Sequence, residues 1–246
     1  MKIFDKVYKR IKNKCLSNYF FDYIFIKKYG GFGPKIHVIG DSHVSVFSGI
    51  DTIQNAWPNK STNIFPPFVS YRIGPVTAFN SYKKIQVFKK ILTFKSSGVN
   101  KKMDYVMLCF GEIDIRVHLI KQKEIQGVDL EIIVEKCLKQ YLLTIQAIAN
   151  WGYNVIVFGP IASANKEIII DNYSSYGSTK ERNNATRLFN RSLESECKKM
   201  NVLFISFFEE MVDENENTKT EFLSDDIHLS AKTLPIIYEK LKKQLN

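Results

Sequence analysis

The feature that most constrains this chain is an alternation. Short apolar runs, most ending at a glycine, are separated by longer stretches with helical periodicity. Ile36-His37-Val38-Ile39 leads into Gly40, Tyr105-Val106-Met107-Leu108-Cys109-Phe110 into Gly111, and Val155-Ile156-Val157-Phe158 into Gly159-Pro160. Val202-Leu203-Phe204-Ile205 follows a helical segment. Runs of this length without polar alternation suit strands covered on both faces, as in a parallel sheet. Between them, Ile132, Ile133, Leu138, Tyr141, Leu142 and Ile145 form an apolar stripe over 131–150 that stops at Gly152. Ser178-Thr179-Lys180-Glu181 has the capping-box pattern and predicts a polar helix to about Met200. Pro235 suits only a first helical turn, which starts the last helix near Thr233. Residues 162–178 and 213–224 read as polar loops. Strands alternating with helices predict an α/β domain with a doubly wound sheet and ligands at the C-terminal ends of its strands.

Composition narrows the function classes. Hydrophobic residues make up 45% of the 246, enough to bury a core. The net charge of +10 favours anionic partners such as phosphates, anionic glycans, acyl-CoA or acidic headgroups, and equally describes a solvated lysine-rich surface. The charges lack the aromatic interleaving of an RNA-binding strand, which argues against nucleic acid. Cys15, Cys109, Cys137 and Cys197 are widely spaced, unlike zinc ligands or redox dithiols, and fit a reducing compartment. No run reaches the ~18 apolar residues of a membrane span. The basic N-terminus, with its short Phe20–Ile26 run, does not read as a signal peptide, so the expected location is cytoplasmic.

Residues 1–35 stand apart as a basic amphipathic arm, and residues 36–246 form the domain. Ile3, Phe4, Val7, Tyr8 and Ile11 recur at helical spacing among Lys2, Lys6, Lys9, Arg10, Lys12 and Lys14. Such an arm packs on the domain or a partner subunit, or lies on an anionic membrane surface through residues 1–30, at its inner face. Gly30-Gly31-Phe32-Gly33-Pro34 ends it.

Two strings carry candidate chemistry. Ile39-Gly40-Asp41-Ser42-His43 closes the first strand. Glycine allows a tight turn there, and a serine opening the next helix has an exposed hydroxyl close to free backbone N–H groups. The same residues also make a good turn and N-cap. Ser224-Asp225-Asp226-Ile227-His228-Leu229-Ser230 precedes the last helix. A serine needs a base to take its proton, histidine titrates in the right range, and a carboxylate three residues earlier can fold back on the imidazole. Taken alone, this string is also a solvated loop with a capping histidine.

Together, the G-D-S at the end of the first strand and the D-x-x-H before the last helix resemble the first and last blocks of the SGNH (GDSL-like) hydrolases, over about residues 36–246. The resemblance implies a flavodoxin-like three-layer α/β/α sandwich with a central parallel sheet of about five strands. It implies Ser42 as nucleophile, His228 as base and Asp225 as the orienting carboxylate, with no metal or organic cofactor. Gly74, in Tyr71-Arg72-Ile73-Gly74-Pro75, corresponds to the family's oxyanion-donating glycine. The third block, normally G-x-N-D, is here Gly111-Glu112-Ile113-Asp114, with isoleucine where the family has its amide. Losing one oxyanion donor costs about 100–1,000-fold in rate.

The string continues through Arg116 to His118, and a guanidinium there is able to hold an oxyanion or an anionic substrate group. Alternatively Glu112, Arg116 and His118 form a structural ion-pair cluster. This string resembles SGNH-like proteins of bacterial surface polysaccharide synthesis. The expected activity is therefore that of a serine esterase or O-acyltransferase on carbohydrate O-acyl groups, with a glycan substrate and an acyl donor as partners. Two other readings stay open: a polysaccharide-pathway transferase using Glu112, Asp114, Arg116 and His118 for different chemistry, and a non-catalytic glycan-binding protein.

Overall fold

The structure, a computed structural model, describes residues 33–169 and 173–245. The expected arm, its membrane contact and Cys15 lie outside the described residues, apart from the exposed stretch 33–35.

Five parallel strands form one sheet: β1 Ile36–Gly40, β2 Phe68–Arg72, β3 Tyr105–Cys109, β4 Asn154–Phe158 and β5 Leu203–Ile205. Their order is β2-β1-β3-β4-β5, the flavodoxin-like doubly wound arrangement. Register places Gly40 opposite Arg72 on one side and Cys109 on the other, so the ends of β1, β2 and β3 are level. The chain leaves β1 for one neighbour and later returns to its other side. The crevice beyond the β1 and β3 ends is thus the topological switch point, where such sheets bind ligands.

Alternating strand residues feed two cores. Ile39, Val106, Leu108, Val155 and Val157 meet helices α1 (Ile85–Thr93), α3 (Leu130–Asn150) and α4 (Thr179–Lys199). Val38, Met107, Cys109, Ile156 and Phe158 meet the 3-10 helix Ser42–Ser48, the short α5 (Phe208–Met211) and α6 (Leu234–Leu245). A further helix, α2 (Ile120–Gln126), continues the turn after β3. Both sheet faces are therefore buried, which is why β1, β3 and β4 are largely apolar, with the exceptions of His37 in β1 and the exposed Asn154 that opens β4. Cys109, Cys137 and Cys197 are buried free thiols.

Local signals and structure agree closely at the helices. Ser178 accepts the Glu181 N–H, and Glu181 reaches back to the Ser178 N–H, completing the capping box. Helix α3 ends before Gly152, whose φ is +82°, and α6 starts at Leu234 after a 3-10 turn. Strand β2 has no matching apolar run. It lies at the sheet edge, where Ser70 bonds to Gln54 and Asn63 and one terminal nitrogen of Arg72 to the Gln54 carbonyl, so these polar side chains find partners in the adjoining loop. Among the described residues no helix is long and apolar enough to cross a membrane.

Candidate active site

Gly40 ends β1 against the neighbouring strand. A Cβ there would sit 2.1 Å from the Cys109 carbonyl oxygen and 2.7 Å from Val44, so no side chain fits without moving backbone. The chain then turns sharply. Asp41 Oδ1 accepts the His43 N–H at 2.9 Å and caps the 3-10 helix that Ser42 opens. Burial raises the Asp41 carboxyl to about 6. Ser42 itself remains half-buried, at the open end of the strand.

The opposing wall is the loop before α6. A bridge between Leu223 and Leu229 and the Ser224 N–H bond to the His228 carbonyl (2.8 Å) close this loop. Asp225 Oδ1 accepts the N–H groups of Ile227 and His228, both at 2.7 Å, and its Oδ2 lies 2.8 Å from His228 Nδ1. One carboxylate therefore shapes the turn and orients the ring. The Ala231 N–H bonds to Asp51 at 2.6 Å, tethering the loop to the segment after the Ser42 helix.

Across 186 residues of sequence, His228 Nε2 meets Ser42 Oγ at 2.9 Å. Burial works against the Asp225 carboxylate, but the backbone donors of His228 and Ile227 and the imidazole outweigh it and hold Asp225 below the usual range. An ionised Asp225 accepts a hydrogen bond from Nδ1–H, which leaves Nε2 as the acceptor of the serine hydroxyl. Burial first, and His43 second, lower the His228 pKa, so the ring is neutral and able to act as base near pH 7.

Gly74 follows β2, with φ +97°, and reaches this end of the sheet because the Ile73 N–H bonds to the Gly40 carbonyl at 2.9 Å. The loop beyond it is held by Asp114, which accepts the Ala78 N–H at 2.6 Å, the Phe79 N–H at 3.1 Å and the Cys137 thiol at 3.3 Å. Burial raises the Asp114 carboxyl to about 6 against these bonds.

Comparisons with known proteins bear on the fold. No protein-family model and no curated protein match the sequence. Among solved structures, a Streptococcus pneumonia protein provisionally named as a platelet activating factor is similar at TM-score 0.54 and 18% identity, over 98% of this chain and 99% of that one. An acetyl xylan esterase is similar at TM-score 0.50 and 17% identity, over 86% of this chain and 100% of its own. A carbohydrate acetylesterase from Sinorhizobium meliloti is similar at TM-score 0.50 and 12% identity, over 86% and 98% of the two chains.

The chain has the SGNH hydrolase fold.

Within that SGNH fold, the third block departs from expectation in more than its missing amide. Ile113 is buried and offers no donor. Arg116 is not free to hold an anion. Its Nε lies 2.5 Å from Glu112 Oε1, one terminal nitrogen 3.2 Å from Oε2, and the other donates to the Tyr173 carbonyl. The ion-pair cluster also has a different membership. His118 is exposed and, with Asp114, Thr77, Phe79, Gln122 and Lys136, lines a cavity of about 240 Å³ whose walls do not include Ser42, Glu112 or Arg116. Asp114 serves the loop after Gly74, so Glu112, Asp114, Arg116 and His118 do not converge on one reaction centre. The reason is geometric: within the π-helical turn Asp114–Leu119, Arg116 turns back to Glu112 while Asp114 and His118 line the other cavity.

The histidine that does join Glu112 is His43, which motif reading passed over. Its Nε2 lies 3.3 Å from Glu112 Oε2, a charge contact and not an aligned hydrogen bond. Its ring centroid is 4.7 Å from that of His228. The only available signal was its place directly after Ser42. Among the described residues, no group of three His, Cys, Asp or Glu side chains is arranged to hold a metal ion.

Proposed function

We propose that this chain is a serine esterase or O-acyltransferase acting on O-acyl groups, acetyl foremost, of a carbohydrate in bacterial surface polysaccharide metabolism. One observation carries the reading: the continuous relay from Ser42 Oγ to His228 Nε2 (2.9 Å) and from His228 Nδ1 to Asp225 (2.8 Å).

Ser42 Oγ attacks the acyl carbonyl as His228 Nε2 takes its proton, and Asp225 stabilises the resulting imidazolium. The backbone N–H groups of Ser42 and Gly74 receive the oxyanion. Arg116 takes no part in that hole, because its nitrogens are committed to Glu112 and Tyr173. The tetrahedral intermediate collapses, His228 returns the proton to the departing sugar oxygen, and the acyl group stays on Ser42. Water then releases it as a carboxylic acid, or a sugar hydroxyl accepts it as a new ester, with His228 again moving the proton. With two backbone donors and isoleucine at position 113, turnover on simple esters is expected to be slow. The carbohydrate assignment is supported by the resemblance of the Gly111–His118 string and by two fold neighbours named for acetyl xylan and carbohydrate substrates.

The test is covalent labelling with a fluorophosphonate together with p-nitrophenyl acetate hydrolysis, in the wild type, Ser42→Ala and His228→Ala. Labelling at Ser42 that disappears in both variants is the expected result. A wild type that neither labels nor turns over any acyl donor, including acetylated sugars, removes the reading.

A further inference from the structure

The acyl-transfer steps use Ser42, His228 and Asp225, yet a second histidine is built against the base. His43 is 8% exposed and lies next to the nucleophile. Its ring is inclined 37° to that of His228 at a centroid distance of 4.7 Å. Charged groups surround this pair on every side. Asp41 lies in the same turn, and Glu112 faces His43 Nε2 at 3.3 Å from the end of β3. Arg116, from the π-helical turn, clamps the far side of Glu112, and Asp225 faces His228 from the C-terminal loop.

This arrangement has a direction. Glu112 is 5% exposed and bidentate with Arg116, and the oxygen facing His43 carries charge that favours a proton on Nε2. We propose that His43 is a positioning residue, held protonated by Glu112, whose charge keeps the catalytic base His228 unprotonated into mildly acidic solution. This inference rests on the reading of His228 as the base.

The electrostatics of both rings agree. Burial opposes a proton on His43, but Glu112 and Asp41 outweigh it and raise its pKa. Burial and then His43 lower that of His228 against the pull of Asp225. As the pH falls, the proton therefore goes to His43 before His228, and the His228 Nε2 lone pair stays open to the Ser42 hydroxyl. Once His228 takes the serine proton, two imidazolium rings lie side by side. Their repulsion drives that proton onward to the departing oxygen.

The chain has four histidines, so an NMR titration of the full chain resolves each ring. In the wild type, the His228 resonance is expected to titrate below the ordinary histidine range, with a second inflection at the midpoint of His43. In His43→Gln, that midpoint and the acidic limb of kcat/KM both move up by roughly one pH unit. His43→Phe, which keeps a ring in place without the charge, moves them equally. An unchanged His228 midpoint in His43→Gln, or a shift in His43→Phe alone, overturns the proposal. A single His228 inflection in the wild type overturns it without any variant. If fluorophosphonate labels Ser42 while the acidic limb stays put, this inference fails and the esterase reading stands. If the wild type never labels, the esterase reading fails, and the NMR midpoints still decide whether the two rings are coupled.

Discussion

His228 hangs between two neighbours with opposite effects: Asp225 draws a proton toward the ring and His43 repels one. Only Asp225 also fixes which nitrogen carries the hydrogen, through the 2.8 Å contact at Nδ1. Asp225→Asn leaves a side chain that presents either an amide N–H or a carbonyl to that nitrogen, so the useful tautomer is no longer enforced. Triads of this kind lose about 10⁴-fold in kcat on such a change. The half-exposed setting of Asp225 lets water take over part of its role. A fall in kcat of about 10²–10⁴-fold, with little change in KM, is expected from p-nitrophenyl acetate kinetics at pH 8. At this scale the two motif strings already named the three side chains that meet, Ser42, His228 and Asp225. They did not reveal His43, because being next to Ser42 in sequence says nothing about where a 3-10 turn aims a side chain. They also offered Arg116 as an anion holder, since no string shows that Glu112 and the Tyr173 carbonyl already occupy it.

At the scale of elements, the site depends on three strand ends being level. Gly40 lets β1 approach β3 so closely that a methyl group would overlap the Cys109 carbonyl. The loop after β2 carries Gly74 and is pinned by one carboxylate from the next strand end, Asp114. Asp114→Ala leaves the Ala78 and Phe79 N–H groups and the Cys137 thiol without that acceptor. The expected cost is about 2–4 kcal/mol in urea unfolding, summed over buried donors left unsatisfied. A drop in kcat of at least ~10-fold is expected beside it, because the oxyanion-side backbone is no longer held. Equal urea midpoints for variant and wild type would contradict this role. Helix signals were legible here because capping boxes and glycine stops act locally. The β2 strand was not, since an edge strand satisfies its polar residues through loop partners that are invisible in a window of five residues.

For the whole molecule, three buried carboxyls give the pH dependence of stability two opposing parts. Glu112 is held at about 2, below its ordinary 4.5, so its contribution is complete above pH 4.5 and lost as pH falls toward 2. Burial opposes this value, and His43 and Arg116 overcome it. Asp41 and Asp114 are raised to about 6 from 3.8. Their ionised forms therefore destabilise the fold above pH 6, and that penalty is relieved as pH falls from 6 to 3.8. His43 adds stability that is present below its unfolded value and disappears as pH rises through its raised folded one. The urea midpoint is expected to rise from pH 8 to about 4.5 and then to drop toward pH 2. Glu112→Gln should lower the unfolding free energy at neutral pH by about 3–5 kcal/mol, because Arg116 then stays buried without its anion. It should also flatten the acid drop; an unaltered drop in that variant would place its cause elsewhere.

By itself the sequence determined the class of fold and pointed to the three side chains that meet as Ser42, His228 and Asp225. Unbroken apolar runs are what strands buried on both faces require, and a nucleophile and its base need particular residue types wherever they lie. Tertiary structure alone decided which charges meet. The β1–β3 register, the π-helical turn after Gly111 and the closed loop before α6 bring His43, Glu112 and His228 together from three distant stretches. Electrostatic coupling acts through space over a few ångströms, and no linear spacing encodes that distance.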